Sequence, residues 1–234
     1  MDEVLTDQNE HPVRTIDAET LLLRPEPLTM RFRLLGILPL MFFLAQAAHY
    51  WQINQLGHLL WMCNVGNVLL AAGLFLDQPR LIRVAVVWSV PGLFVWWRYV
   101  VMEWFGYATL DWWAVMSSTL AHVGGLIVGL ISLRRIRMDR VTWLYAFAWY
   151  LAVQFISRLA TRAALNVNVS HRIYVAWERE FQSYFKFWIV LTVAVASSLW
   201  LLSWTLNKLW PCRSHLPFAK LKQFRLGGDK KMEP

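Results

Sequence analysis

The chain has 234 residues, of which 57% are hydrophobic and 16% charged, and it carries a net charge of +8. Soluble domains typically have about a quarter of their residues charged, so the composition excludes an ordinary soluble domain. Charges are costly inside a bilayer, and their scarcity indicates a membrane protein. The basic residues flank apolar runs, which favours contact with anionic lipid head groups over nucleic acid binding.

The first 30 residues are polar and acidic, and they predict a cytoplasmic extension without a cleavable signal peptide. A helix needs about 20 mostly apolar residues to cross a membrane, and such segments recur through the chain. We therefore predict an all-α fold, with a bundle of six transmembrane helices over residues 31–210 and a basic cytoplasmic tail over 211–234. The predicted spans are Leu34–Ile53, Leu56–Leu76, Leu81–Phe105, Leu110–Leu133, Val141–Thr161 and Phe181–Leu206.

The positions of the basic residues predict the orientation of these spans. Arg and Lys occur before the first span, between the second and third, between the fourth and fifth, and after the sixth. The cluster Arg134–Arg140 is the densest, whereas the first two loops on the opposite side contain neither Lys nor Arg. Because cytoplasmic loops are enriched in Lys and Arg, both termini are predicted to be cytoplasmic.

Polar side chains inside the second span are candidates for function, since polar groups at membrane depth face the bundle interior or a cavity. They are His58, Cys63, Asn64 and Asn67. In one continuous helix, Cys63 would lie about 8 Å along the axis from His58. A lone Cys in an apolar helix is more often inert packing than a nucleophile, and Asn side chains more often join helices by hydrogen bonds. Both interpretations stay open here.

The fourth span and the loop after the fifth supply the remaining candidates. Ser118 and His122 are four residues apart and share a helix face, and His122 is the most deeply placed ionisable side chain. Either a catalytic or ligand-binding role or a structural hydrogen bond fits His122. In the loop, Asn166 and Asn168 are candidates to line a cavity mouth, with an ordinary turn as the alternative.

Metal and cofactor chemistry find no support in the sequence. There is no H-E-x-x-H motif and no paired-Cys motif, so we predict no metal site and no cofactor. Cys63 lies in a span and Cys212 in the basic tail, and their different depths argue against a disulfide.

The order and spacing of several short motifs between His58 and His171 resemble those of small bacterial six-span integral membrane proteins. The motifs are His58-Leu-Leu-Trp-Met-Cys63-Asn64-Val-Gly-Asn67, Leu74-Phe-Leu-Asp77-Gln-Pro79, Ser118-Thr-Leu-Ala-His122, the basic turn Arg134–Arg140 and Asn166-Val-Asn168. These bacterial proteins are distantly related to the YwaF-like family and its animal relatives, which resemble lipid acyltransferases. The resemblance implies a bacterial inner-membrane protein with Cys63 as nucleophile and His122 as base. Asn64 departs from the small or acidic residue expected next to the cysteine.

Two functions of different classes follow. The first is an intramembrane lipid acyltransferase or hydrolase, in which Cys63 attacks an ester carbonyl after His122 takes its proton. Asn64, Asn67 or Ser118 would donate hydrogen bonds to the oxyanion. The second is a non-enzymatic membrane scaffold or a subunit that binds a lipid or quinone, suggested by 15 Trp residues and plain apolar spans. The predicted ligand-binding residues are His58, Asn64, Asn67, Ser118, Asn166 and Asn168.

Overall fold

A computed structural model describes residues 27–105 and 111–211, and these residues are mostly helical. The all-α prediction is confirmed for this part of the chain. Short 3₁₀ turns at Leu56–Leu60, Val167–Val169 and Val175–Trp177 lie in the connections. The long helices are α1 Met30–Gln52, α2 Met62–Phe75, α3 Pro79–Trp104, α4 Trp112–Ser132, α5 Thr142–Ala160 and α6 Tyr184–Leu209.

Four of these helices are long and apolar enough to cross a membrane, namely α1, α3 over Pro79–Met102, α4 and α6. Helix α2 has 14 residues. At 1.5 Å per residue it is about 21 Å long, shorter than the roughly 30 Å hydrocarbon core. A helical membrane protein is therefore supported, whereas six crossings and the orientation of the termini stay predictions. Residues 1–26 of the predicted extension lie outside the described residues, and so does the predicted tail from residue 212 onward.

The main hydrophobic core lies where α2, α3, α4 and α5 meet. Trp88 of α3 is fully buried there, and its indole N–H donates to the Ala146 carbonyl of α5 at 3.2 Å. Gly73 allows α2 to pack directly against the start of α3, because a Cβ at this position would lie 2.6 Å from Ile82 Cγ1. This packing holds α2 firmly even though the helix is short.

One end of the bundle gathers most of the arginines in the part of the chain that the structure describes, and we call it the basic end. The start of α1, the α2–α3 turn, the α4–α5 connection and the end of α6 are tied together there. Three contacts do this: the Arg83–Asp139 ion pair, the Met138 N–H donating to the Trp210 carbonyl at 2.9 Å, and the Leu28 N–H donating to the Asp77 carboxylate at 3.2 Å. The four connections predicted to share one side therefore do meet.

The second predicted span, Leu56–Leu76, differs from the structure in an important way. The chain forms a 3₁₀ turn over Leu56–Leu60, Trp61 is extended with φ −57° and ψ 139°, and α2 begins only at Met62. The physical reason lies in the 167–169 turn, where Asn168 accepts from the Met62 N–H at 3.3 Å and donates to the Leu60 carbonyl at 2.7 Å. His58 is thus not on α2 and shares no helix face with Cys63.

Candidate active site

A cavity of about 510 Å³ opens into the bundle at the end opposite the basic end. The middle of α3 provides the largest share of its walls, α1, α4 and the start of α2 provide most of the rest, and the lining is mostly apolar and aromatic. It includes Trp88, Val95, Trp96, Tyr150, Leu191 and Val195. A concave, mostly apolar pocket with a few polar groups is typical of a ligand-binding site.

Cys63 lies in the wall of this cavity as the second residue of α2. Its side chain is a free thiol and is half-buried. The N-terminal turn of a helix carries a partial positive charge from the aligned peptide dipoles, so negative charge is favoured there. The break before Met62 therefore places Cys63 at the electropositive end of a helix, a position that a continuous second span would not provide.

His122 faces the same cavity from a π-helical turn, Leu120–Gly124, which interrupts α4. Such turns are rare and are frequent at functional sites. The His122 side chain is buried, and its Nδ1 lies 2.8 Å from the Ser118 carbonyl and 3.4 Å from Ser118 Oγ. A carbonyl oxygen only accepts hydrogen bonds, so Nδ1 carries the ring proton. Nε2 is left as an acceptor.

The two predicted catalytic residues meet beside Gly92 of α3. A Cβ at Gly92 would lie 3.2 Å from His122 Cδ2 and 3.4 Å from Cys63 Cβ, so both side chains pack against this glycine. With the proton of the ring on Nδ1, Nε2 is suited to receive the thiol proton. The structure brings the pair together, and their catalytic roles remain a prediction.

Asn67 connects the two segments that carry this pair. Its Nδ2 donates to the Cys63 carbonyl at 3.0 Å and to the Ala121 carbonyl of the π-helical turn at 2.9 Å. Gly125 makes room for it, because a Cβ there would lie 2.5 Å from Asn67 Oδ1. The buried Asn67 amide therefore joins α2 to α4 and does not line the cavity.

Asn64 and His58 lie behind the cavity wall. The fully buried Asn64 donates from Nδ2 to the His58 carbonyl at 2.9 Å and stabilises the chain break before α2. The His58 ring packs edge-on against Tyr50, with centroids 5.2 Å apart, and its burial lowers the pKa of the imidazole. The amides of Asn64 and Asn67 thus bind backbone carbonyls. Of the three predicted oxyanion donors, Ser118 lines the cavity.

The two loop asparagines have different positions. Asn168 is buried, lines the cavity and donates to Ser157 Oγ at 2.9 Å in addition to holding the start of α2. Asn166 Oδ1 accepts from the backbone N–H groups of His171 and Arg172, both at 3.1 Å, and so stabilises a turn. Both residues have a positive φ, 52° for Asn168 and 44° for Asn166, a conformation that Asn tolerates well.

Two buried polar residues of α1 also line the cavity, and sequence reasoning missed them. A histidine near the end of the first predicted span can simply hydrate at the interface, and Gln46 carries no motif, so the sequence singles out neither residue. His49 is 8% exposed and Gln46 is 2% exposed, and Gln46 Oε1 accepts from Ser117 Oγ at 2.7 Å. Their spacing of three residues puts them on one helix face, and this signal could have identified them.

Among the described residues, no group of three or more His, Cys, Asp or Glu side chains could hold a metal ion. No protein-family model, curated protein or solved structure matches the chain. The resemblance to the YwaF-like family therefore stays a prediction, and the site is interpreted from its own geometry.

Proposed function

We propose that this protein is an intramembrane lipid acyltransferase or hydrolase that forms a thioester on Cys63. One observation carries the proposal: the Cys63 side chain, in the first turn of α2, packs against Gly92 together with the His122 ring, whose Nδ1 is held by the Ser118 carbonyl. A nucleophile, a base and a group that orients the base recur in covalent catalysis on many folds. Here they meet in an apolar cavity suited to an acyl chain.

The geometry supports the following chemistry. His122 Nε2 takes the thiol proton, and the Cys63 thiolate attacks the carbonyl carbon of a lipid ester. The carbon–oxygen bond breaks, and the His122 imidazolium returns its proton to the leaving alkoxide, which departs as an alcohol. Ser118 Oγ lines the cavity and is the candidate donor to the oxyanion. Water or a second alcohol then attacks the thioester and releases the thiol.

The proposed topology has six spans in a bacterial inner membrane, with both termini in the cytoplasm. The clustering of arginines at the basic end supports this orientation through the positive-inside rule, and anionic lipid head groups are the expected partners there. The cavity lies at the other end. Val95 of α3 lines it and is also 68% exposed, so the cavity wall reaches the bundle surface at this residue. We therefore propose that a lipid enters sideways from the outer leaflet, past Val95.

The test is acylation of Cys63 in the purified full chain, reconstituted in phosphatidylcholine nanodiscs. A p-nitrophenyl ester of an alkyne-tagged fatty acid serves as the acyl donor, and the tag is read by fluorescence after a click reaction. We expect a hydroxylamine-sensitive label and a burst of p-nitrophenol, both abolished in Cys63→Ala. His122→Ala should slow labelling by about 10²-fold or more, the range for loss of a general base.

Cys212→Ser is the matched control, because it removes the other cysteine and should keep the label. Full labelling of Cys63→Ala, or equal rates for the wild type and His122→Ala, would overturn the proposal.

The second candidate is a non-enzymatic lipid- or quinone-binding subunit, and the apolar lining of the cavity favours it. In that case a lipid or quinone should copurify with the protein and be detected by native mass spectrometry. It should be retained by Cys63→Ala and displaced by Gly92→Trp, which fills the cavity. Copurification without a Cys63 thioester would favour binding over catalysis.

A further inference from the structure

The cavity is lined by further polar side chains that the acylation step does not use. Gln46 and His49 reach it from the last turns of α1, and Ser117 and Asp111 stand beside them at the start of α4. We call these four residues the α1 polar cluster. Gln46 and His49 line the cavity and are polar, unlike most of its walls, so the cavity has a second polar region besides the Cys63–His122 pair.

His49 is the least satisfied member of this cluster. Its side chain lines the cavity and is buried, and its Nδ1 has no hydrogen-bond partner among the described residues. Leaving a buried ring nitrogen without a partner costs free energy, and such groups in native structures often mark a ligand or catalytic position. The nearest charged atom is Asp111 Oδ2, 3.9 Å from Nδ1.

Asp111 is held so that one oxygen remains available to His49. Its Oδ1 caps α4 by accepting from the Trp113 N–H at 3.0 Å and the Ala114 N–H at 3.4 Å, while Oδ2 is directed to the imidazole. A separation of 3.9 Å is too long for a hydrogen bond, but catalytic contacts often shorten when substrate binds. A carboxylate opposite Nδ1 favours the tautomer with the proton on Nδ1, which leaves Nε2 as an acceptor.

The chemistry of the cluster selects the kind of group that binds there. Gln46 is fixed by Ser117 Oγ on its Oε1 and donates from Nε2 to Tyr50 Oη at 3.4 Å, so the cluster is already ordered. No Lys or Arg is among the described residues that line the cavity. An anionic phosphate or carboxylate would therefore meet the Asp111 charge without a compensating cation, whereas a hydroxyl or amine would find an acceptor.

We propose that His49, oriented by Asp111, binds the hydroxyl or amino group of the acyl acceptor. This inference rests on the proposed function, since it concerns the second half of the same reaction. The acceptor oxygen or nitrogen attacks the carbonyl carbon of the Cys63 thioester and passes its proton to His49 Nε2. The carbon–sulfur bond breaks, and the Cys63 thiolate takes a proton from water at the cavity mouth while His49 returns its own to that water. The protein is then a transferase, and hydrolysis is the side reaction of an empty acceptor site.

The experiment measures how the acyl group divides between acceptor and water. The full chain in phosphatidylcholine nanodiscs receives p-nitrophenyl decanoate as donor and monooleoylglycerol as a neutral acceptor. Oleoyl lysophosphatidic acid carries the same oleoyl chain and a hydroxyl but adds a phosphate, and it serves as the anionic comparison. Diacyl product and free decanoate are quantified by mass spectrometry, and the p-nitrophenol burst reports acylation of Cys63 separately.

We expect His49→Gln to lower the transfer-to-hydrolysis ratio by about 10²-fold, the range for the loss of a group that takes the acceptor's proton. The acceptor KM should rise, while the burst rate stays at the wild-type value. Asp111→Asn keeps the helix-capping oxygen and removes the charge, so it should lower the ratio by a smaller factor. His171→Gln is the matched control, because His171 does not line the cavity and its Nε2 lies 3.2 Å from Thr161 Oγ1, and it should leave the ratio unchanged.

The outcomes separate the two proposals. A wild type without a burst overturns the proposed function itself. A normal burst together with an unchanged ratio in both His49→Gln and Asp111→Asn overturns the acceptor site alone. Should His49→Gln unfold, as judged by its melting temperature, Asp111→Asn and the wild-type comparison of the two acceptors decide. Faster transfer to lysophosphatidic acid than to monooleoylglycerol contradicts the inference, and the reverse order supports it.

Discussion

Replacing Asn168 with alanine tests how the long-range contact at the start of α2 supports the site. The substitution removes the acceptor of the Met62 N–H and the donor to the Leu60 carbonyl and Ser157 Oγ. Two backbone groups then lose their partners, each at a cost of about 1–3 kcal/mol. Alanine at φ 52° adds about 1 kcal/mol of backbone strain. Because Asn168 lines the cavity, water can replace part of the lost hydrogen bonding. We therefore expect the free energy of unfolding to fall by about 3 kcal/mol, the low end of the sum.

The free energy of unfolding is measured in mixed micelles with increasing dodecyl sulfate, followed by tryptophan fluorescence. Two further variants separate the contributions. Asn168→Gly loses the same hydrogen bonds without the strain, so it should be less destabilised than alanine by about 1 kcal/mol. Asn54→Ala is the matched control for strain alone, since Asn54 has φ 54° and is exposed.

The same variants report on the site. Loss of the Asn168 contacts frees the first turn of α2, so Cys63 in Asn168→Ala should react faster with a maleimide yet be acylated more slowly by an ester. The reasoning is refuted if Asn168→Ala is no less stable than Asn54→Ala. It is also refuted if maleimide labelling and acylation both keep their wild-type rates.

Two further predictions concern the helix contact behind the site and the dependence on pH. Gly125→Ala places a Cβ 2.5 Å from Asn67 Oδ1 and should destabilise the fold by about 1–3 kcal/mol. Gly66→Ala, whose nearest neighbours lie at 3.9 Å, should be neutral or slightly stabilising, so equal melting temperatures would contradict the packing argument. Burial lowers the pKa of His58 below its usual 6.5, so below that pH the unfolded chain binds the proton more readily than the folded protein. Stability should therefore fall as the pH drops from 6.5 through the lowered pKa, and an identical slope in His58→Gln would show that another group is responsible.

The helices of this protein follow from local apolar patterns, and the second predicted span shows where that reasoning stops. Nothing between Leu56 and Leu76 predicts a break, because the run is mostly apolar and contains no proline and no Asp, Glu, Lys or Arg. The break at Trp61 depends on Asn168, which is 106 positions from Met62 along the chain. A contact of that range carries no local signal, so the position of Cys63 in a first helical turn could not be predicted.

His49 and the π-helical turn illustrate the same limit. The sequence identified His122 as a deeply placed candidate but predicted an ordinary helix around it, since the shift in hydrogen bonding has no residue signature. Likewise, an interfacial histidine can simply hydrate, and only the packing of α1 against the start of α4 buries His49 beside the cavity.

The sequence by itself determined the membrane class, the all-helical fold and the positions of most helices, because these depend on local hydrophobicity and on the need of each backbone to satisfy its own hydrogen bonds in lipid. It also identified Cys63 and His122 as candidate catalytic residues. Only the tertiary structure decided that these two side chains meet at Gly92, that Asn64 and Asn67 hold backbone carbonyls, and that His49 completes the polar lining. Such proximity depends on how separate helices pack, and no single segment encodes it.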